Sequence, residues 1–406
     1  MGFLRRRLPL ILLWLSLAWS VSGCWNGREI ETLGFVMAVG IDKAQEEGKI
    51  QLTMLVAKPF AIGGGEKGTP QESPIWILSS TGETVFDAIR NGNSQSPRRL
   101  FFAHNRWLLF GEDFAREGIL SALDLWSRDG EARRTVQVAV AKGAAASEML
   151  QTQFELERQP SEGGRGVLDN ASITLSTVVT IRLNEFVQLL ETVGSNAVAS
   201  RVEIVPRPQE ADIRGEVLRE KVGSSARFTG AAAFKGDRLV GWLDKSETRG
   251  LNWVRSKVKS GLIVIENPLT RGSSIGIEII RGRCQSQVEP TEGRFIARIR
   301  IEVEGNLGDT TGLIEPERAD LWVSMESRMA EAIREEIRAA VVKAQELQTD
   351  YLGFGASLYR SNPKLWEKVK DGWQELLFPD MDIEVDVRAK LRRTGLVTRS
   401  DRVTTG

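Results

Sequence analysis

Between Pro316 and Thr349 the apolar residues fall at Trp322, Met325, Met329, Ile333, Ile337, Val341, Ala344 and Leu347. Spacings of three and four put them on one face of a long amphipathic helix, about 50 Å if unbroken. A helix of that length must lay its apolar stripe on a sheet or on other helices, so it dictates a layered fold. Glu331 with Arg334, and Glu335 with Arg338, sit on its polar side at i,i+3 spacing.

Before that helix the dominant period is two. Leu33 to Ile41 alternates, with Leu33, Phe35, Met37, Val39 and Ile41 on one face, and Ile50 to Val56 alternates again across a polar loop. A strand follows at Ile75 to Leu78. Ser80-Thr81-Gly82-Glu83 fits a capping box that opens a helix through Ile89. Leu100 to Phe110 reads as buried strand, Phe114 to Trp126 as helix, and Thr135 to Ala141 as strand. Glu155 to Asn170 is polar and glycine-rich and reads as an exposed loop. Arg182 to Val193 is an amphipathic helix that Gly194 ends. Arg227 to Phe234 and Arg238 to Leu243 form a second hairpin. Leu262 to Ile265, Ser274 to Ile280 and Arg294 to Val303 add further strands. After the long helix, Asn362-Pro363 supplies an N-cap and first turn. The helix it opens carries Trp366, Val369, Trp373 and Leu376 on one face. Ile383 to Leu391 alternates with charged residues as a half-buried strand.

Strands in hairpins with helices gathered between them predict an α+β fold of mostly antiparallel sheets, in two or three subdomains. The polar segment 206–224, with Pro206 and Pro208, reads as a linker. It separates an N-terminal unit, 24–205, from a C-terminal unit, 225–398, with a further subdivision near 310 and a loose tail at 399–406.

The first residues are an address. Arg5, Arg6 and Arg7 precede an apolar run from Leu8 to Val21, and Ser22-Gly23-Cys24 follows. This is the layout of an export signal. The run contains Pro9 and is too short for a membrane span, which needs roughly 20 apolar residues. Val21-Ser22-Gly23-Cys24 resembles the lipobox of bacterial lipoproteins, with Val21 where leucine is usual. That resemblance implies removal of residues 1–23 and a diacylglyceryl and N-acyl lipid on Cys24. Two chains make a stable anchor where one does not.

Basic and acidic residues balance at 54 each. Removing the leader's three arginines leaves a slightly acidic body, and nothing in it suggests a nucleic-acid binder, which would normally show a basic patch or stripe. Of two cysteines, if Cys24 is acylated, Cys284 has no disulfide partner, and it reads as a buried or edge-strand thiol. The single histidine, His104, excludes metal sites that need two and reads as a structural residue among aromatics. Gly272-Ser273-Ser274-Ile275-Gly276 matches a nucleophile elbow in letters only. Strand follows it instead of helix, and His104 precedes Ser274 instead of following the acid. Gly63 to Thr69 holds P-loop residues in the wrong order. Trp366 and Trp373 at helical spacing read as core. No cluster has metal-ligand spacing. These readings predict a protein that is not an enzyme and needs no cofactor or metal.

Several motifs occur in an order that resembles the Ger(x)C family, the lipoprotein C subunits of spore germinant receptors. They are Gly23-Cys24-Trp25, Arg28-Glu29-Ile30, Gly40-Ile41-Asp42-Lys43, Arg98-Arg99-Leu100-Phe101-Phe102 with His104, and Gly111-Glu112. Gly230, Phe234, Leu239-Val240-Gly241-Trp242-Leu243, Asp350-Tyr351-Leu352-Gly353-Phe354-Gly355, Pro363, Trp366 and Trp373 follow. The resemblance implies a non-catalytic subunit on the outer face of the spore inner membrane. It implies polytopic A and B subunits as partners in a nutrient receptor that triggers germination. Asp350, Gly353 and Gly355 then have two readings, a tight turn between helices or a docking surface for a partner subunit. The alternative function is a solute-binding lipoprotein of an ABC transporter, which would require two doubly wound lobes.

Overall fold

The computed structural model describes residues 29–58, 73–128, 131–152, 160–206, 224–312, 314 and 318–392. Among these residues, nine strands form one sheet and four form a second. The expected leader, the Gly63–Thr69 segment and the tail at 399–406 lie outside them.

The large sheet contains β1 (Leu33–Lys43), β2 (Ile50–Ala57), β3 (Ile75–Gly82), β4 (Arg99–Phe101), β5 (Trp107–Phe110), β6 (Gln137–Ala141), β7 (Val198–Pro206), β8 (Ser224–Lys235) and β9 (Arg238–Leu243). Its order is β3-β2-β1-β5-β6-β7-β8-β9, with β4 beside the start of β1. The outer strands run antiparallel as expected. The fold is α+β with antiparallel pairs in the majority, as expected, but in the middle of this sheet β1, β5, β6 and β7 are mutually parallel. The local cue is Trp107-Leu108-Leu109-Phe110, buried at every position. A strand covered on both faces shows a continuous apolar run, not alternation.

Strand β1 also departs from simple alternation. Its register with β2 shifts between Val36 and Ala38. Across this irregularity the face changes: Val36, Val39 and Ile41 enter one core, while Ala38 enters the layer on the opposite side. Phe35 and Met37 are only partly buried, so the expected single face of five residues is two faces joined at a bulge.

The connecting helices explain other differences. The first, α1 (Val85–Asn93), starts four residues later than expected. Ser80 to Gly82 remain strand, and the Thr84 hydroxyl accepts from the Asp87 N–H at 3.1 Å. Helix Phe114 to Trp126 is two pieces, α2 (Glu112–Glu117) and α3 (Leu120–Arg128). The Asp237 turn of the β8–β9 hairpin fills the break, accepting from the Ile119 and Leu120 N–H groups. After the one-turn α4 (Ala146–Met149), the expected loop at 155–170 is from Pro160 onward a helix, α5 (Pro160–Thr174). Its buried side is Ser161, Gly163, Gly164 and Leu168, so it has no broad apolar stripe to read. Helix α6 (Leu183–Glu191) follows the expected pattern.

Strands β7 and β8 flank the expected linker at 206–224 and pair antiparallel from Val198 with Ala233 to Pro206 with Ser224. They are neighbours in one sheet. The chain leaves the large sheet only after β9, through α7 (Lys245–Val254).

The second sheet has the order β10 (Gly261–Glu266), β11 (Ser274–Thr291), β12 (Arg294–Thr310) and β13 (Asp382–Leu391). Strands β11 and β12 form a long hairpin of 18 and 17 residues. β13 joins β12 in parallel. Among the described residues this sheet is antiparallel but for one pair, which is not the second doubly wound lobe that an ABC solute-binding protein requires. The long helix, α8 (Ala319–Glu346), lays Met325, Met329, Ile333 and Ile337 on the sheet. The remaining elements are α9 (Phe354–Ser361) and α10 (Pro363–Val369), then a 3-10 turn and a π-turn at Trp373–Leu377. The change of helical pitch leaves Leu376 69% exposed, off the face assigned to it.

Glu304 of β12 clasps three strands of this sheet's rim. It accepts from Arg281 on β11 at 2.7 Å and from Arg392 after β13 at 2.6 Å. The hydrogen bonds from Arg392 and Arg281 hold its carboxyl down to about 2, from an ordinary 4.5. A depressed carboxyl stabilises the fold fully above its unfolded value and loses that contribution as pH falls toward the folded one. Glu304→Gln should therefore flatten the fall in urea midpoint between pH 4.5 and about 2. Parallel acid curves for variant and parent would refute the linkage.

Candidate functional site

The residues singled out at Asp350–Gly355 form the junction between the two sheets. Asp350 is fully buried. Its Oδ1 accepts from the Gly353 and Phe354 N–H groups at 2.8 and 3.1 Å. Its Oδ2 accepts from the Gly355 N–H at 2.6 Å and from the Trp373 indole at 3.0 Å. The turn needs this arrangement. Gly353 occupies the N-cap of α9 in a left-handed conformation, φ 83°, and has no side chain to cap the helix. Asp350 caps it instead. Burial pushes the carboxyl upward, and the N–H donors oppose that.

The same turn is stitched to the N-terminal half. The Asp350 carbonyl accepts from the Asn196 N–H at 3.0 Å, and the Gly194 carbonyl accepts from the Ala356 N–H at 2.8 Å. A Cβ on Gly355 would lie 2.6 Å from the Gly194 oxygen and 2.6 Å from the Trp373 nitrogen. Arg255 donates to the Tyr351 carbonyl at 2.6 and 3.0 Å. Burial lowers this guanidinium to about 10, so it stays charged at neutral pH. The Tyr351 hydroxyl donates to the Ala340 carbonyl of α8 at 3.0 Å, and burial raises it.

A second contact locks α7 against α8. Arg249 makes a bidentate pair with Glu336, Nε lying 2.9 Å from each carboxylate oxygen. The Trp253 indole donates to the same carboxylate at 3.0 Å. Both partners are mostly buried. Gly250 permits the approach, since a Cβ there would stand 2.0 Å from the Glu336 carbonyl oxygen. The expected Glu331–Arg334 pair forms, whereas Arg338 turns to Glu331 and leaves Glu335 exposed.

With Asp350 and Gly355 buried, these two residues present no surface to a partner. Gly353 remains partly exposed. Cys24 and the Gly63–Thr69 segment lie outside the described residues. His104 is exposed, its ring edge-on to Phe35 at 5.1 Å. Ser274 opens β11, and its N–H donates to Thr311 Oγ1 at 2.8 Å, in a strand and not an elbow. Trp366 and Trp373 are buried against each other, 5.6 Å apart. Cys284 is a free, half-buried thiol on β11 that burial pushes up to about 12, which keeps it protonated and unreactive. Among the described residues no group of three His, Cys, Asp or Glu is placed to hold a metal.

Sequence reasoning assigned no role to Asp42, Arg249 or Glu336. Asp42 repeats the Asp350 device across a long interval. Its carboxylate accepts from the Ala146 and Ser147 N–H groups at 2.7 and 2.8 Å, capping α4, whose own N-cap is Ala145. An alanine at a helix start is the available signal that another residue must cap. Glu336 lies on the apolar face of α8, between Ile333 and Ala340, and that position was the clue to a buried partner.

Residues 26–204 match the family described as spore germination protein N-terminal domain, and residues 229–395 match spore germination B3/GerAC-like, C-terminal. The chain is 26% identical over 402 residues to spore germination protein KC of Bacillus subtilis (strain 168), covering 97% of each. It is 25% identical over 421 residues to spore germination protein YndF of the same organism, covering 97% of this chain and 98% of the relative. The crystal structure of the GerBC protein shares the fold, with a TM-score of 0.55, 18% identity and coverage of 87% of this chain and 96% of that one.

Asp350→Asn should cost about 2–4 kcal/mol in urea unfolding, because the amide turns an NH₂ toward two N–H donors and strands them. Glu336→Ala, which leaves Arg249 buried without its partner, should cost about 3–5 kcal/mol. An unfolding midpoint unchanged in either variant would show that the junction is not a main support of the fold.

Proposed function

For a chain that belongs to the Ger(x)C-like family of spore germination receptor C subunits, we propose a tethered, non-catalytic role: a rigid body held beside its membrane partners by a lipid on Cys24. The observation that carries this reading is the match to both halves of the family from residue 26 to residue 395. The chain takes part in a receptor complex at the spore inner membrane. In the finer reading it stands on the outer face of that membrane and meets the polytopic A and B subunits.

Physical considerations support the tether. No helix among the described residues is long and apolar enough to cross a membrane. Leu33, where β1 starts, is nine residues past Cys24. At 3.3–3.6 Å per residue, nine residues reach at most about 30 Å. A lipid on Cys24 therefore keeps the folded body within one protein diameter of the bilayer. With little freedom, its encounter with membrane partners is effectively intramolecular.

The intact mass of the mature protein from spore membranes should show cleavage before Cys24 and the added acyl chains. Cys24→Ala should lose stable membrane attachment and reduce the germination response. Normal attachment and germination in that variant would overturn the tether.

A further inference from the structure

The parallel strands of the large sheet all begin at one edge: Leu33 pairs with Arg99, Ala38 with Trp107, and Trp107 with Gln137. The residues at that edge enclose a cleft of about 260 Å³. Arg106 stands before β5, Arg133 before β6, Arg165 on α5, and Arg182 before α6 in a bridge with Gln137. Two of the four arginines are matched by acids. Arg106 Nε lies 2.6 Å from Glu162 and Arg165 lies 3.5 Å from Asp169. Arg133 and Arg182 have no carboxylate within 4.0 Å among the described residues.

Two residues that line the cleft also carry enclosed hydrogen-bonding atoms without partners. Asn105 is buried at 4% exposure. Its Oδ1 accepts from the Trp107 N–H, and its Nδ2 is buried with no partner. Gln137 Oε1 is likewise buried and unpartnered. A buried polar atom without a partner is costly, and such atoms in native folds call for a physical explanation. Unmatched guanidiniums in a cleft walled by incompletely paired amides suit an oxygen-rich anion. Arginine's planar fork matches such oxygens.

We infer that this cleft is an oxyanion site for a phosphate-class group. Inorganic phosphate and a phosphatidylglycerol headgroup both carry such a group. The location bears on the second source. The chain enters β1 at this same edge, and the Phe35 ring packs on His104, which also lines the cleft. That part of the argument rests on the Cys24 tether, since it places the cleft on the side from which the lipid-bearing segment arrives. The oxyanion chemistry does not depend on it.

The test is arginine-specific labelling with phenylglyoxal, read by peptide mass spectrometry at Arg133 and Arg182. One arm uses the full chain in uncharged detergent micelles, with inorganic phosphate titrated against chloride of equal ionic strength. The other uses the full chain in phosphatidylcholine vesicles with or without phosphatidylglycerol. Protection of both arginines by phosphate beyond that given by chloride identifies a site open to free phosphate. Protection only with phosphatidylglycerol identifies the bilayer headgroup. Labelling that phosphate, chloride and phosphatidylglycerol change equally, or not at all, overturns the proposal and leaves a solvated basic patch. Arg133→Gln with Arg182→Gln, both at exposed positions, should weaken phosphate binding, read as protection of the remaining Arg106 and Arg165, about tenfold or more. The micelle arm holds whether or not Cys24 is acylated, so its failure and that of the tether are distinguishable.

Discussion

One buried carboxylate ties the two halves of the molecule together. Asp350 accepts four N–H groups, three from the turn that follows it and one from Trp373. It thereby fixes the start of α9, the position of the aromatic pair Trp366 and Trp373, and the close contact of Gly355 with Gly194. Each of these is a condition for the next. Without the cap the glycine turn has unsatisfied donors in the interior, and without the turn the second sheet has no seat on the first. The continuous core that runs from Val36 to Leu391 through both sheets depends on that seat.

Charge is used in this fold mainly for construction. Asp42, Asp350, Glu336 and Arg255 are all enclosed to some degree, and their partners are backbone groups, indoles and, for Glu336, the Arg249 guanidinium. Such groups specify a unique arrangement, because a slipped register would bury them unpaired. The basic cleft at the head of the parallel strands differs in kind. Its arginines exceed the acids that answer them, and its amides are incomplete.

Long, strictly periodic elements were legible in the sequence. The α8 stripe, the Asn362-Pro363 start, the β8–β9 hairpin and the family resemblance all follow from residue spacing or motif order. What escaped were features whose cause lies elsewhere in the chain. The parallel core strands are short and apolar on both faces, so period two never appears. Helix α5 hides its inward side in glycines. The cap of α4 comes from Asp42, on a strand more than a hundred residues away. The β1 bulge reverses which residues face the core, and nothing local at Met37 marks it. The Asp350 turn was visible as a motif, but its role as a junction depends on Gly194 and Asn196, from the other half.

The placement of β8 has a topological consequence. The second family segment begins at residue 229, inside β8, yet β8 and β9 complete the first sheet. The two halves thus share a strand pair instead of meeting at a hinge. A chain nicked between 206 and 224 would still have to zip β7 to β8, each fragment supplying an edge that the other closes. The protein is in this sense a pre-paired two-piece assembly, and evolutionary exchange of its C-terminal half would carry two strands of the N-terminal sheet along with it.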